Sequence, residues 1–260
     1  MLQKLLFCRI RYRCRVLALK ILVVDSGVGG LTVLDSTLQL VRGNFVYLAD
    51  SKFFPYGTKD KHKLLDRLVQ VVGHFGCDLV VLACNSASTV ASQLRHKVQL
   101  PVVEVITPTC NYIFENSYTN VCLLATDLTV ASGVYQSKLN DFGCNVKAFN
   151  CGELVQYVEN GINGKALDML LQKLWQSVAP TKPQCVILGC THFGLIRDKI
   201  EKIFTGVDIV DCAMPTAKVV ASGVKQRFEE SLVTYLTTGD TACAKRLSLQ
   251  TGYIFDCVDI

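Results

Sequence analysis

The chain has 260 residues, half of them hydrophobic, with 13 cysteines and a formal net charge of +5. That length suits one large α/β domain or two lobes with a substantial core, and no apolar run approaches the roughly 18 residues that suggest a membrane-spanning helix. Six of the 27 basic residues (Lys4, Arg9, Arg11, Arg13, Arg15 and Lys20) fall in the first twenty positions without an acid among them. The remainder carries 21 basic against 22 acidic residues, which leaves no footprint for nucleic acid. Residues 1–18 read as a basic extension, disordered or the product of an over-extended start. They do not read as a signal or transit peptide, because the apolar run after Arg15 leads straight into the first strand. The cysteines are odd in number, irregularly spaced and without a CxxC pair. Reduced, mostly buried thiols in a cytoplasmic protein are expected, with no metal site.

Leu19 to Val24 reads as a buried strand ending at Asp25, followed by the glycine-rich turn Ser26-Gly27-Val28-Gly29-Gly30. This turn lacks both GxGxxG spacing and the Lys-Ser/Thr pair of a phosphate loop, so alone it is only a turn. A helix from Leu31 and a strand from Phe45 to Leu48 follow, the latter ending at Asp50. In the next loop, Pro55-Tyr56-Gly57 is a turn signal with Tyr56 as an exposed ring. Leu64 to Phe75 is amphipathic and helical. Asp78 to Gln93, DLVVLACNSASTVASQ, then gives a buried strand, Cys84 in a sharp turn, and a helix start where Asn85, Ser86 and Ser88 offer capping oxygens. Pro101 to Ile106 is another strand, and Pro108 opens a helix.

A second cycle begins at Val121 to Ala125. Thr126, Asp127 and Thr129 are placed to cap one helix containing Tyr135. Val146 to Phe149 is a short strand, Cys151 to Glu159 a helix stopped by Asn160-Gly161, and Lys165 to Val178 a longer helix. Gln184 to Leu195, QCVILGCTHFGL, repeats the earlier construction with Cys190 in the turn and His192 two residues on. Val207 to Val210, Pro215 to Glu230, Leu232 to Leu236, Thr241 to Leu247 and Tyr253 to Cys257 read as strand, helix, strand, helix, strand. The alternation argues for parallel α/β layers. Asp25, Asp50, Cys84 and Cys190 all follow strands, so they converge on the carboxyl edges where ligands bind. Singly each has a bland reading: a small buried thiol, a core histidine, a strand-ending acid. Together they supply two thiols with an acid beside one and a histidine beside the other. The helix N-termini are expected to make both thiols easier to ionise.

Four segments carry a resemblance: VVDSGVGGLTVL (Val23 to Leu34), ADSKFFPYGTKD (Ala49 to Asp60), ACNSAS (Ala83 to Ser88) and ILGCTHFGLI (Ile187 to Ile196). Weaker matches are ATDLTVASGVY from Ala125, CGELVQYVENG from Cys151 and TTGD from Thr237. The chain resembles the glutamate racemases of the cofactor-independent aspartate/glutamate racemase superfamily. The resemblance implies two pseudo-symmetric α/β lobes, residues 19–106 with 215–260 and residues 107–214, and an active site in the cleft between them. It implies that Cys84 and Cys190 are the catalytic thiols, assisted by Asp25 and His192, with Asp50 and Glu159 as further acids. Ser26, Tyr56, Gly57, Asn85, Ser86 and Thr191, with Asp25 and His192, would contact substrate. The implied activity interconverts L- and D-glutamate by a two-base proton transfer, without cofactor or metal, and supplies D-glutamate for peptidoglycan. The implied partner is the small-molecule substrate; a homodimer is left open, and neither nucleic acid nor membrane is expected. Aspartate or hydantoin racemisation, a catalytically silent binding protein on this fold and a thiol redox sensor stand as alternatives. The chain departs from the family pattern at Ala49, Ser86, Gly194 and Asp211 to Ala217 (DCAMPTA).

Overall fold

A computed structural model of the chain describes residues 19–224 and 229–260; the basic extension and residues 225–228 of the helix expected to reach Glu230 lie outside the described residues. Among the described residues, ten strands form two wholly parallel sheets. The larger has the order β10-β9-β2-β1-β3-β4 and the smaller β6-β5-β7-β8. The strands are β1 Lys20–Asp25, β2 Asn44–Ala49, β3 Leu79–Leu82, β4 Val102–Glu104, β5 Asn120–Ala125, β6 Asn145–Asn150, β7 Cys185–Gly189, β8 Asp208–Asp211, β9 Leu232–Thr237 and β10 Phe255–Cys257. The two-lobed α/β expectation holds.

Both faces of each sheet are covered, as parallel sheets require. Ile21 and Val23 of β1 face one core while Leu22 and Val24 face another. In β5, Cys122 and Leu124 alternate in the same way with Val121 and Leu123. The orders β2-β1-β3-β4 and β6-β5-β7-β8 are the same plan used twice. In each, the chain leaves the first strand to one side and returns on the other. Each lobe therefore has a topological switch point, between β1 and β3 and between β5 and β7, the place where open parallel sheets bind ligands. Cys84 follows β3 and Cys190 follows β7.

Three local expectations change. The strand at Pro101 stops at Glu104, because the Glu104 carboxylate accepts from the N–H groups of Ile106 (2.6 Å) and Thr107 (3.0 Å) and so starts the Ile106–Glu115 helix earlier. The helix expected to contain Tyr135 is two helices, Asp127–Ser132 and Val134–Asp141, broken at Gly133, whose φ of +67° is a left-handed cap that favours glycine. The helix expected from Pro215 begins at Ala213 and ends at Gly223. Its Ala213 and Val220 join the core that holds Val33 and Leu34, which returns the chain to the first lobe.

Candidate active site at the lobe seam

The strand ends, with the end of the Gly152–Glu159 helix, bring Asp25, Cys84, Glu159, Cys190 and His192 to one seam. Asp25 is fully buried and spans the lobes: its Oδ2 accepts from Thr191 Oγ1 at 2.8 Å, while its Oδ1 accepts from the Gly27 N–H at 3.0 Å and from Ser26 Oγ at 3.4 Å. Burial raises its pKa against the lowering pull of His192. Tyr47 donates to the Gly27 carbonyl at 2.8 Å and fixes the glycine-rich turn from below.

Cys84 is buried, and burial pushes its thiol well up. The charge of Asp25 and the nearby Cys190 push the same way, and N–H groups of Ala87 and Ser86 only partly oppose them. The expected easy ionisation of Cys84 is therefore overturned. The helix after it, Asn85–Ser88, is only four residues long, so its terminus offers little against desolvation. Nor do the expected caps form. Asn85 Oδ1 accepts from Tyr135 in the other lobe at 2.7 Å, and its amide faces Cys212 Sγ at 3.9 Å. Ser86 Oγ meets Thr126 Oγ1 at 2.9 Å and Thr129 Oγ1 at 3.5 Å. Ser88 turns back to the Cys84 carbonyl at 2.8 Å. Thr126 stands at a helix start, but its hydroxyl joins this cross-lobe cluster and caps nothing.

Around Cys190 the setting is opposite. Its sulfur lies 3.8 Å from His192 Nδ1, and His192 Nε2 lies 2.8 Å from Glu159 Oε2. Burial disfavours an imidazolium, yet the bonds to Cys190 and Glu159 outweigh it and raise the His192 pKa well above its ordinary value. For Glu159 burial is again the opposing effect, and the His192 bond and charge prevail, holding the carboxyl below its ordinary value. The two directions agree on an imidazolium–carboxylate pair. Phe54 of the first lobe packs on the His192 ring at 6.0 Å between centroids.

Asp50 and Tyr56 are not part of this group. The Asp50 carboxylate accepts from Arg67 Nε (2.9 Å) and Nη2 (2.5 Å), Tyr56 hydroxyl (2.7 Å) and Thr238 Oγ1 (2.7 Å). Every oxygen is engaged, which leaves an anchor and no free base. Tyr56 is fully buried in the core and not exposed. Gly57 lies against Thr126, where a Cβ would come within 2.7 Å of that side chain. A Cβ on Gly29 would sit 2.6 Å from the His192 backbone nitrogen, and one on Gly27 2.5 Å from Glu159 Oε2. The lobes can close this tightly because neither position carries a side chain.

Thr126, Thr129, Tyr135 and Arg246 are contributors that motif reading did not single out for this site. A cavity of about 460 Å³ opens beside the seam, lined by Leu31, Val158, Leu195 and Gln250 among others, and it contains neither thiol. Among the described residues, no group of three or more His, Cys, Asp and Glu side chains is arranged to hold a metal ion. Gly194 has room for a side chain, since its Cβ would come no closer than 3.4 Å to Thr32.

Comparison with known proteins gives the family. The family described as Asp/Glu/Hydantoin racemase matches residues 49–219. A glutamate racemase from Carboxydothermus hydrogenoformans is 32% identical over 250 residues, covering 91% of this chain and 93% of that protein. The crystal structure of glutamate racemase from Thermus thermophilus in complex with beta-chloro-D-alanine superposes with a TM-score of 0.82 at 29% identity, covering 94% of this chain and 97% of that one. The Escherichia coli glutamate racemase, solved with L-glutamate and the activator UDP-MurNAc-ala, gives a TM-score of 0.74 at 28% identity, covering 94% and 98%.

Proposed function

Because the chain belongs to the Asp/Glu/hydantoin racemase family, we propose that it interconverts L- and D-glutamate by moving the α-proton between Cys84 and Cys190. The observation that carries this reading is the unlike setting of two like residues. One buried thiol is pushed toward its protonated form, and the other faces an imidazolium. Pairs of titratable groups with environments driven apart define an acid and a base.

In the L-to-D direction Cys190, as thiolate with His192 as its counter-charge, takes the α-proton from one face. Cys84, held as a thiol, returns a proton to the other face. The turnover leaves the roles exchanged, and D-glutamate resets them. The α-proton is weakly acidic, so the carbanion-like state needs donors already in place. Asn85, Ser86 and Thr191 are held across the seam by Tyr135, Thr126 and Asp25, and would rearrange toward the substrate carboxylate. The described lobes are closed on one another, so substrate entry requires them to part, and closure then excludes water.

The test is a circular-dichroism assay with each enantiomer of glutamate and aspartate and no added cofactor. Glutamate of either hand is expected to lose its optical signal to zero, with aspartate far slower. A folded protein that leaves both glutamate enantiomers unchanged refutes the reading.

A further inference from the structure

The C-terminal helix Thr241–Thr251 packs in the first lobe through Ala244 and Leu247. It also reaches into the second. Arg246 Nη1 donates to the Glu159 carbonyl at 3.0 Å, and its Nη2 lies 3.7 Å from Glu159 Oε1. One turn on, Gln250 Nε2 donates to the Val158 carbonyl at 3.1 Å. Val158 and Glu159 end the Gly152–Glu159 helix, where carbonyls lack intrahelical partners and a cation is favoured.

The Glu159 carboxylate is thus held from three directions. Its Oε2 takes the Val28 N–H at 3.3 Å and His192 Nε2 at 2.8 Å, and its Oε1 faces Arg246. Two of these three partners, Val28 and Arg246, come from the first lobe. They reach Glu159 in this way only while the lobes are together. His192 carries the arrangement on to the Cys190 sulfur. Among the described residues no side chain hydrogen-bonds the Cys84 sulfur; its neighbours are Asp25, Cys190 and the N–H groups of Ser86 and Ala87.

We propose that Arg246, backed by Gln250, is a positioning residue that ties lobe closure to the orientation of the Glu159–His192 pair, and so serves the Cys190 half of the reaction alone. The inference rests on the two-thiol reading and adds a one-sided control to it. A carboxylate fixed at one oxygen can swing, and His192 swings with it; fixing the second oxygen aims Nδ1 at the sulfur.

The test uses the full chain, its Arg246→Gln and Arg246→Lys variants, and Cys190→Ser as reference. The probes are β-chloro-L-alanine and β-chloro-D-alanine. The base takes the α-proton, the C–H electron pair forms the Cα=Cβ bond, and chloride leaves with the C–Cl pair. The aminoacrylate hydrolyses to pyruvate and ammonia, and pyruvate is measured. The enantiomer that Cys190→Ser fails to process marks the Cys190 face. On that enantiomer Arg246→Gln is expected to be about tenfold slower, and within about twofold of wild type on the other. Arg246→Lys, which keeps the charge, recovers most of the loss. Wild type that racemises glutamate while Arg246→Gln slows both enantiomers equally, or neither, overturns the proposal. Wild type without racemase activity overturns the proposed function itself.

Discussion

In the first lobe, the order β2-β1-β3-β4 sets Cys84 near Asp25, an acid whose charge opposes a thiolate. In the second, β6-β5-β7-β8 sets Cys190 beside His192, an imidazolium whose Nδ1 lies 3.8 Å from the sulfur. One backbone plan is furnished twice, with opposite electrostatics. The acids divide similarly. Asp50 of the first lobe is spent on Arg67, Tyr56 and Thr238, whereas Glu159 of the second is spent on His192. A symmetric scaffold thus yields two unlike faces through a few residues at strand ends, and the comparison can be attacked at each of them.

The largest expected effect separates the two acids. Arg67→Ala leaves Asp50 buried without its counter-charge, and removing one partner of a buried ion pair costs about 3–5 kcal/mol. Chemical denaturation of Arg67→Ala should show that loss. A variant as stable as wild type would mean that Asp50 is not an anchor and returns it to the candidates for proton transfer.

How far the sequence could be read follows from the range of the interactions. The strand–Cys–turn repeats around Cys84 and Cys190 are local patterns, and so were legible. Asp25 was legible as a strand-ending acid, and the alternation of strands and helices gave the parallel layers. What decides the role of Asp50 is Arg67, seventeen positions away in a helix whose pattern reads only as amphipathic. What holds Glu159 includes Arg246, 87 positions away. Neither pairing has a local signature. The oxygens of Asn85, Ser86 and Thr126 depart from their expected capping roles for the same reason. Their partners lie across the seam, and a cross-lobe bond competes with a cap invisibly to spacing. The Cys84 direction was missed because burial, which outweighs a four-residue helix, is a property of the closed lobes.

A second route breaks the closure that both faces share. Gly29→Ala would drive a Cβ into His192 and Thr191, and a misplacement of that order near the chemistry costs about 10²-fold in rate. Elimination from β-chloro-L-alanine and from β-chloro-D-alanine should fall together, since the seam serves both thiols. A fall confined to one enantiomer would show that the two faces close independently.

The smallest effect concerns pH. His192 holds its proton more tightly folded than unfolded. Its contribution to stability is complete below the ordinary value of 6.5 and is lost as pH rises through the raised folded value. Glu159 contributes above the ordinary value of 4.5, and this is lost as pH falls through its lowered folded value. The stability difference between wild type and Glu159→Gln should therefore be widest between those limits and narrow at both ends, a change on the order of 1 kcal/mol. Denaturation midpoints across pH measure it. A difference that stays flat would mean that the pair is not ionic.

In the proposed reaction each thiol serves one face of the α-carbon. Replacing either with serine should cripple racemisation, by about 10²- to 10⁴-fold for loss of a positioned acid or base, while half of the chemistry survives on substrates with a β-leaving group. The decisive measurement is the elimination rate of each enantiomer of β-chloroalanine with Cys84→Ser and with Cys190→Ser. Mirrored preferences are expected: Cys84→Ser retains elimination from the L-enantiomer through Cys190, and Cys190→Ser retains it from the D-enantiomer through Cys84. Two variants that process both enantiomers equally would contradict it.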